Sequence, residues 1–367
     1  MSNYNLHNAK RNKQDEFYTL YEDIEKELCN YSSQLKDKII YCNCDNPFKS
    51  NFVKYFILNF NTLKIKKLIA TCYYENAQLK SGRLFTIKNN NTSYTINDNA
   101  YKAIITNVSD NVTNNECIDM NELFSLQGNS ITTLKSNGDF RSEECITLLQ
   151  QSDIIITNPP FSLFREYINI LQKYNKKLLI IASKNAITYK DFFHLLKDNK
   201  VWLGYNNVNK FIQTDNIIKS FGNIGWFTNL NVNKHTEYIT LTKQYNEKEY
   251  PTYDNYNAIE VSKVSSIPYD YKGIMGVPIT FLDKYNPNQF EILGVTDGGY
   301  DFSKEAYPIK RYTNAIQHNI DGTIENGSKV NTRACLLVED TNKVYYTANN
   351  VKGKLVSCYC RILIRSK

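Results

Sequence analysis

The sequence predicts an α/β fold, a doubly wound parallel sheet followed by a β-rich C-terminal region, and three observations carry that prediction. Short, nearly unbroken apolar strands alternate with helical patterns through the first part of the chain. One such strand, in "DIIITNPPFSLF" (Asp153 to Phe164), stops abruptly at an asparagine and two prolines and is followed by apolar residues at helical spacing. Beyond about residue 230 the texture changes to turn pairs such as "YNPNQ" and "DGGYD" with few helical patterns. The organisation read from these features is a domain over 1–230, with a hairpin insertion near 80–110, and a second region over 231–367.

Each element has its own reason. "FYTLYEDIEKEL" places Thr19 and Glu22 in capping-box spacing ahead of Leu20, Ile24 and Leu28, which predicts an amphipathic helix. "DKIIYCNCD" reads as a buried strand ending at Asp45, "SNFVKYFILNF" as a crossover helix, and "KKLIATCYYE" as a second strand ending at Glu75, which together form a βαβ unit. "RLFTIKNNNTSYTIN" alternates on both sides of an Asn-rich turn and predicts a hairpin, and "YKAIITNV" a short strand. After "GDF" (138–140) come a short helix near 142–150, the strand Ile154 to Thr157, its helix with Phe164, Ile168 and Leu171 on one face, and a further buried strand, "KKLLIIAS". The last strand is read as "KLVSCYCRILIRSK", with Cys358, Cys360, Ile362 and Ile364 on one face.

Composition narrows the function classes. No run of about 18 apolar residues is present, and the N-terminal segment lacks the apolar stretch of a signal peptide, so a soluble cytoplasmic protein is expected. Nine cysteines, an odd number scattered along the chain, do not form a disulfide framework and point to a reducing compartment. The pairs Cys42/Cys44 and Cys358/Cys360 lie in strand-like alternation and only four histidines exist, so core packing is expected and no metal site. The net charge is +7, and Ser328 to Lys367 alone carries a local +6. That segment fits a polyanion partner and fits a solvated surface strand equally well.

The turn "NPPF" has a specific chemical use. Pro159 and Pro160 fix two successive φ angles and force Asn158 into an extended conformation. Open α/β sheets bind ligands at the carboxyl ends of their strands, where this stiff turn lies. The exocyclic amine of adenine is a poor nucleophile because its lone pair is delocalised into the ring. The Asn158 side-chain oxygen and the Pro159 carbonyl can accept its two hydrogens and localise the lone pair toward a sulfonium methyl, while Phe161 stacks on the base. Without its context the tetrapeptide is also compatible with a structural turn.

The context is "KQDEFYT", "CNCDNPFKSNF", "NPPFSLFREYI" and "GIMGVPITFLDKYNPNQFEILG". With these motifs the chain resembles the EcoRI-type adenine-specific (N6) DNA methyltransferases over residues of about 10 to 300. The resemblance implies a Rossmann-like S-adenosylmethionine-dependent catalytic domain, a C-terminal target-recognition region, double-stranded DNA as substrate, a flipped target adenine, and a restriction-modification or phage-defence setting with a cognate restriction endonuclease. It implies a catalytic set of Asn158, Pro159, Pro160 and Phe161. For the cofactor it implies Glu16, Phe17, Tyr18 and Thr19 at the methionine end, Asp45 near the amino group, Glu75 at the ribose hydroxyls, and Asp139 and Phe140 at the adenine. Each carboxylate also has an ordinary reading as a cap or solvated loop residue. The turn after the first strand, "CDNPFKSN", lacks the Gly-x-Gly found in many methyltransferases. Arg361 and Arg365, four apart on an alternating strand, are read as phosphate contacts. Two rival readings stand beside this one: an RNA adenine or protein glutamine methyltransferase, since the same turn can activate an amide, and a catalytically silent DNA-binding module.

Overall fold

The computed structural model describes residues 17–74, 85–89, 92–96, 100–114, 117–213, 217–297 and 304–367. The chain divides into two compact units, Met1–Lys184 with Leu203–Asn231, and Asn185–Trp202 with Val232–Lys367.

The first unit is mixed α/β around a nine-stranded sheet. Its strands are β1 (Phe17–Thr19), β2 (Ile39–Cys42), β3 (Lys67–Thr71), β6 (Tyr101–Ile105), β9 (Ser130–Thr133), β10 (Ile154–Thr157), β11 (Lys177–Ser183), β12 (Trp202–Gln213) and β13 (Ile218–Thr228). They lie in the order β1-β12-β13-β11-β10-β2-β3-β6-β9. The central four, β11, β10, β2 and β3, are parallel, and β13, β6 and β9 add antiparallel to their inner neighbours. The reason lies in the side chains: "IIYC", "IIIT" and "KLLIIAS" are almost wholly buried, which only a strand covered on both faces can be. Helix Asn51–Leu58 joins β2 to β3, and helix Phe164–Lys173 joins β10 to β11. These two crossovers leave in opposite directions along the sheet, so the strand order reverses between β2 and β10. A crevice opens at the carboxyl ends of such a pair.

Outside the main sheet, β4 (Phe85–Asn89) pairs antiparallel with β5 (Thr92–Ile96), and the two-residue strands β7 (Thr113–Asn114) and β8 (Cys117–Ile118) pair with each other.

One local expectation is corrected. Helix Tyr21–Leu28 begins from Leu20, with no side-chain cap, instead of from a Thr19/Glu22 capping box. Thr19 belongs to β1, where its backbone pairs with Phe211, and its side chain is only 3% exposed. Ladder pairing and burial take the residue that the local pattern assigned to the cap.

The second unit holds two sheets. β14 (Ile259–Glu260), β15 (Met275–Pro278), β22 (Arg361–Ser366) and β16 (Phe290–Val295) form one, with β22 antiparallel to both β15 and β16. The other has the order β18 (Ile324–Asn326), β17 (Ile316–His318), β20 (Tyr345–Thr347), β21 (Lys354–Ser357), β19 (Cys335–Val338). The single C-terminal strand expected from alternation is therefore two, β21 and β22, in different sheets. Ile362, Leu363 and Ile364 are all fully buried, so β22 is covered on both faces and alternation does not describe it. Among the described residues no helix is long and apolar enough to cross a membrane.

Candidate active site

The residues predicted for the site gather largely at the carboxyl ends of β2 and β10. After β10 the buried Thr157 is followed by a half-buried Asn158, a buried Pro159 and Pro160 at φ −58° and ψ 120°. A 3-10 turn, Phe161–Leu163, closes with Leu163 N–H donating to the Pro160 carbonyl at 3.0 Å. The half-buried Phe161 ring meets the buried Phe211 edge-on, with centroids 6.2 Å apart, and Phe211 meets Phe221 at 5.6 Å.

Asp45 lies in the loop after β2, and it is joined directly to Thr157, which leads into the Asn-Pro-Pro-Phe turn. Thr157 Oγ1 donates to Asp45 Oδ2 at 2.5 Å, and Ser50 Oγ donates to Oδ1 at 2.6 Å. Ser50 also caps helix Asn51–Leu58 by accepting from Phe52 N–H. The Asp45 backbone N–H donates to the Thr71 carbonyl at 3.0 Å, which fixes the loop to β3. Burial pushes the Asp45 carboxyl up to about 6, against the two hydroxyl donors that favour its charge. Cys42, Cys44 and Tyr167 nearby are pushed up by burial too, so they stay neutral beside it.

A second tier holds this tier still. Tyr167, on helix Phe164–Lys173 after the Asn-Pro-Pro-Phe turn, donates to Asn43 Oδ1 at 2.5 Å, and Thr71 Oγ1 donates to the Asn43 carbonyl at 3.3 Å. Asn51 Nδ2 donates to the Thr19 carbonyl at 2.7 Å, which brings β1 against the same loop. Thr19 Oγ1 is buried and makes no hydrogen bond among the described residues.

The "GDF" turn lies beside the end of β3, with Tyr74 N–H donating to the Asn137 carbonyl at 2.9 Å. Gly138 has φ +76°, and a Cβ there would lie 1.9 Å from the Cys72 carbonyl oxygen, so only glycine fits. Asp139 is held by Arg141, Nε to Oδ1 at 2.9 Å and Nη2 to Oδ2 at 2.6 Å, and these bonds keep its carboxyl below the usual range. Phe140 is buried edge-on against Tyr167 at 5.1 Å.

The model of the family described as adenine-specific methyltransferase EcoRI matches residues 5–367. The chain belongs to this family. It is 45% identical over 313 residues to the type II methyltransferase M.EcoRI of Escherichia coli, covering 80% of this chain and 89% of that protein. It is 35% identical over 306 residues to the type II methyltransferase M.MpnI of Mycoplasma pneumoniae, covering 78% and 83%. No solved structure matches the chain. The chain is thus an adenine-specific DNA methyltransferase.

Of the residues predicted for this methyltransferase, the Asn158–Phe161 turn is tied to Asp45 through the preceding Thr157, Phe161 meets Phe211, and the Thr19 carbonyl accepts from Asn51 just past the loop that holds Asp45. Tyr18 pairs with Ile212 in the β1–β12 ladder, beside Phe17 opposite Gln213. Asp139 and Phe140 stand at the end of β3. Glu16 and Glu75 lie outside the described residues.

In the second unit Arg361 differs from expectation. Its Nη2 donates to Glu260 Oε1 at 2.7 Å and its Nε to Oε2 at 3.0 Å, with both side chains largely buried. Reaching a phosphate would strand Glu260, so Arg361 is an internal tie. Arg365 pairs with Glu291 at 3.0 Å and with Glu305, on the surface.

Sequence reasoning missed Thr157, Asn43, Tyr167 and Phe211. Ser50 alone left a signal, as a cap residue ahead of an apolar helix. The others act across 28 or more residues of chain, through partners that only the sheet brings near.

Proposed function

We propose that this methyltransferase moves a methyl group from S-adenosylmethionine to N6 of an adenine taken out of duplex DNA, on a Rossmann-like sheet, with 231–367 as the target-recognition region. The observation that carries the reading is the Thr157–Asp45 hydrogen bond, which locks the base-activating turn to the cofactor loop across the strand-order reversal. The residues suit the cofactor: a buried Thr19 hydroxyl has no protein partner among the described residues, Asp45 offers a carboxylate for an ammonium, and Gly138 lets backbone approach closely.

S-adenosylmethionine supplies an electrophilic methyl on a sulfonium. The chain's own work is orientation and charge. Phe17, Tyr18, Thr19 and Asp45 hold the amino-acid end, Glu16 belongs to the same segment, and Glu75, Asp139 and Phe140 serve the nucleoside end. Asn158 Oδ1 and the Pro159 carbonyl accept the two amine hydrogens, so positive charge growing on N6 meets fixed acceptors. Phe161, backed by Phe211, covers the base. Arg365 is kept as a phosphate contact, because its carboxylate partners are exposed and exchangeable. A restriction endonuclease of the same specificity and a cytoplasmic location belong to this reading.

The test is transfer of a labelled methyl from S-adenosylmethionine to duplex DNA, RNA and protein, followed by modified-base sequencing. Label in duplex DNA as N6-methyladenine at one sequence is the expected result. Label in RNA or glutamine alone, or none at all, would sink the proposal.

A further inference from the structure

Arg141 follows the "GDF" turn closely and supplies three hydrogen bonds to the Asp139 carboxylate. Its backbone N–H donates to Oδ1 at 2.8 Å, its Nε to the same oxygen at 2.9 Å, and its Nη2 to Oδ2 at 2.6 Å. Its Nη1 reaches away from the turn and donates to Glu166 Oε2 at 2.6 Å, on helix Phe164–Lys173. The guanidinium carbon stands 5.4 Å from the centroid of the Phe140 ring, and that ring meets Tyr167, the next residue of the same helix. Consecutive residues of the turn are thus clamped to consecutive residues of the helix. The turn is stiff at both ends as well. Gly138, at φ +76°, lies hard against the Cys72 carbonyl, and Ser142 N–H donates to the Asp139 carbonyl at 2.9 Å while its hydroxyl caps helix Glu143–Gln151.

An ionised carboxylate accepts about four hydrogen bonds, two on each oxygen. Arg141 fills both positions of Oδ1 and one of Oδ2, which leaves one acceptor position on Oδ2. The Asp139 side chain keeps 21% of its surface exposed, so a ligand can reach it. A guanidinium is planar, and two of its nitrogens on the two oxygens of one carboxylate fix the plane of that carboxylate. Without the fork, an aspartate on an exposed turn rotates and offers either oxygen in many directions. Held by it, Asp139 presents one acceptor in one direction. A fixed acceptor binds an N–H donor and repels a carbonyl oxygen, so it tells a 6-amino purine from a 6-oxo purine.

We propose that Arg141 is a positioning residue of the cofactor site: its fork holds Asp139 with a single acceptor open and so makes the site select the 6-amino group of the cofactor's base. This rests on the reading of Asp139 at the nucleoside end. The probes are S-adenosylhomocysteine and S-inosylhomocysteine, which differ in a 6-amino and a 6-oxo group, with affinities for the full chain measured by calorimetry. Arg141 and Glu166 are both half-exposed, so their variants leave no buried charge behind and should fold. Arg141→Met is expected to bind S-adenosylhomocysteine about tenfold more weakly and S-inosylhomocysteine within about twofold of wild type, so that the preference between them falls by about tenfold. Arg141→Lys keeps the charge and loses the fork, and should behave like Arg141→Met. Equal weakening of both ligands in Arg141→Met, the mark of a merely structural role, overturns the proposal. So does wild-type preference in either Arg141 variant. Asp139→Asn tests the reading beneath: wild-type affinity and preference there would remove Asp139 from the nucleoside end and this inference with it, whereas a loss in Asp139→Asn beside wild-type preference in Arg141→Met overturns this inference alone.

Discussion

At the scale of single residues, Asn158 sits between a strand end that is buried and a double proline that cannot bend, so its amide reaches the site with little freedom left to lose. Asn158→Ala removes one preorganised acceptor. The expected cost is on the order of 100-fold in single-turnover methyl transfer, with cofactor and DNA affinity held within a few-fold, measured by rapid quench beside equilibrium binding. Asp45 gives a pH prediction with a definite sign. Its carboxyl is raised from its ordinary 3.8 to about 6, so the charged form that an ammonium needs is present above that value and lost below it. Cofactor affinity should therefore fall as pH drops through about 6, and Asp45→Asn should give a low, flat profile by calorimetry. For stability the sign is opposite. A raised folded-state value contributes fully below about 3.8 and is lost as pH rises through about 6.

At the scale of elements, the β10 turn and the β2 loop act as one piece because Thr157 ties them. Thr157→Val keeps the shape of the side chain and removes its donor. The Asp45 titration should then move further up, by about one pH unit, because a bond that favours the carboxylate is gone. An unmoved midpoint in the cofactor-binding profile would show that the tie carries no electrostatic weight. In the second unit, β22 is joined to β14 by the Arg361–Glu260 pair. Breaking it in Arg361→Gln leaves a buried carboxylate uncompensated and should cost about 3–5 kcal/mol by urea unfolding. Arg365→Gln, on exposed partners, should cost less than about 1 kcal/mol. Not every element could be read in advance. β2, β3, β10 and β11 were legible because strands buried on both faces are apolar throughout. β12 was not, since "WLGYNNVNKFIQ" mixes apolar residues with Asn206, Asn207 and Asn209. Its polarity is answered by Glu27, buried on helix Tyr21–Leu28, which accepts from Tyr205 N–H, Asn206 N–H and Asn206 Nδ2. No local pattern announces a partner 178 residues away.

At the scale of the whole molecule, a net charge of +7 suits an enzyme that must hold a polyanion, and salt separates its two C-terminal arginines. Arg365→Gln should reduce the slope of log K against log salt by up to about 0.9 and leave the methylated sequence unchanged, whereas a folded Arg361→Gln should leave the slope alone. A shifted methylation site in Arg365→Gln would mean that this arginine reads bases. The sequence by itself determined the class of protein, the alternating α/β pattern of the first unit and the Asn-Pro-Pro-Phe turn, because strand burial, proline stiffness and helical spacing are local properties written in consecutive residues. Tertiary structure decided which residues are joined to that turn. Thr157 to Asp45, Tyr167 to Asn43, Phe161 to Phe211 and Arg361 to Glu260 are pairings across 50 to 124 residues. They exist only once parallel strands place distant loops side by side, and once burial makes an unpaired polar group too costly to leave.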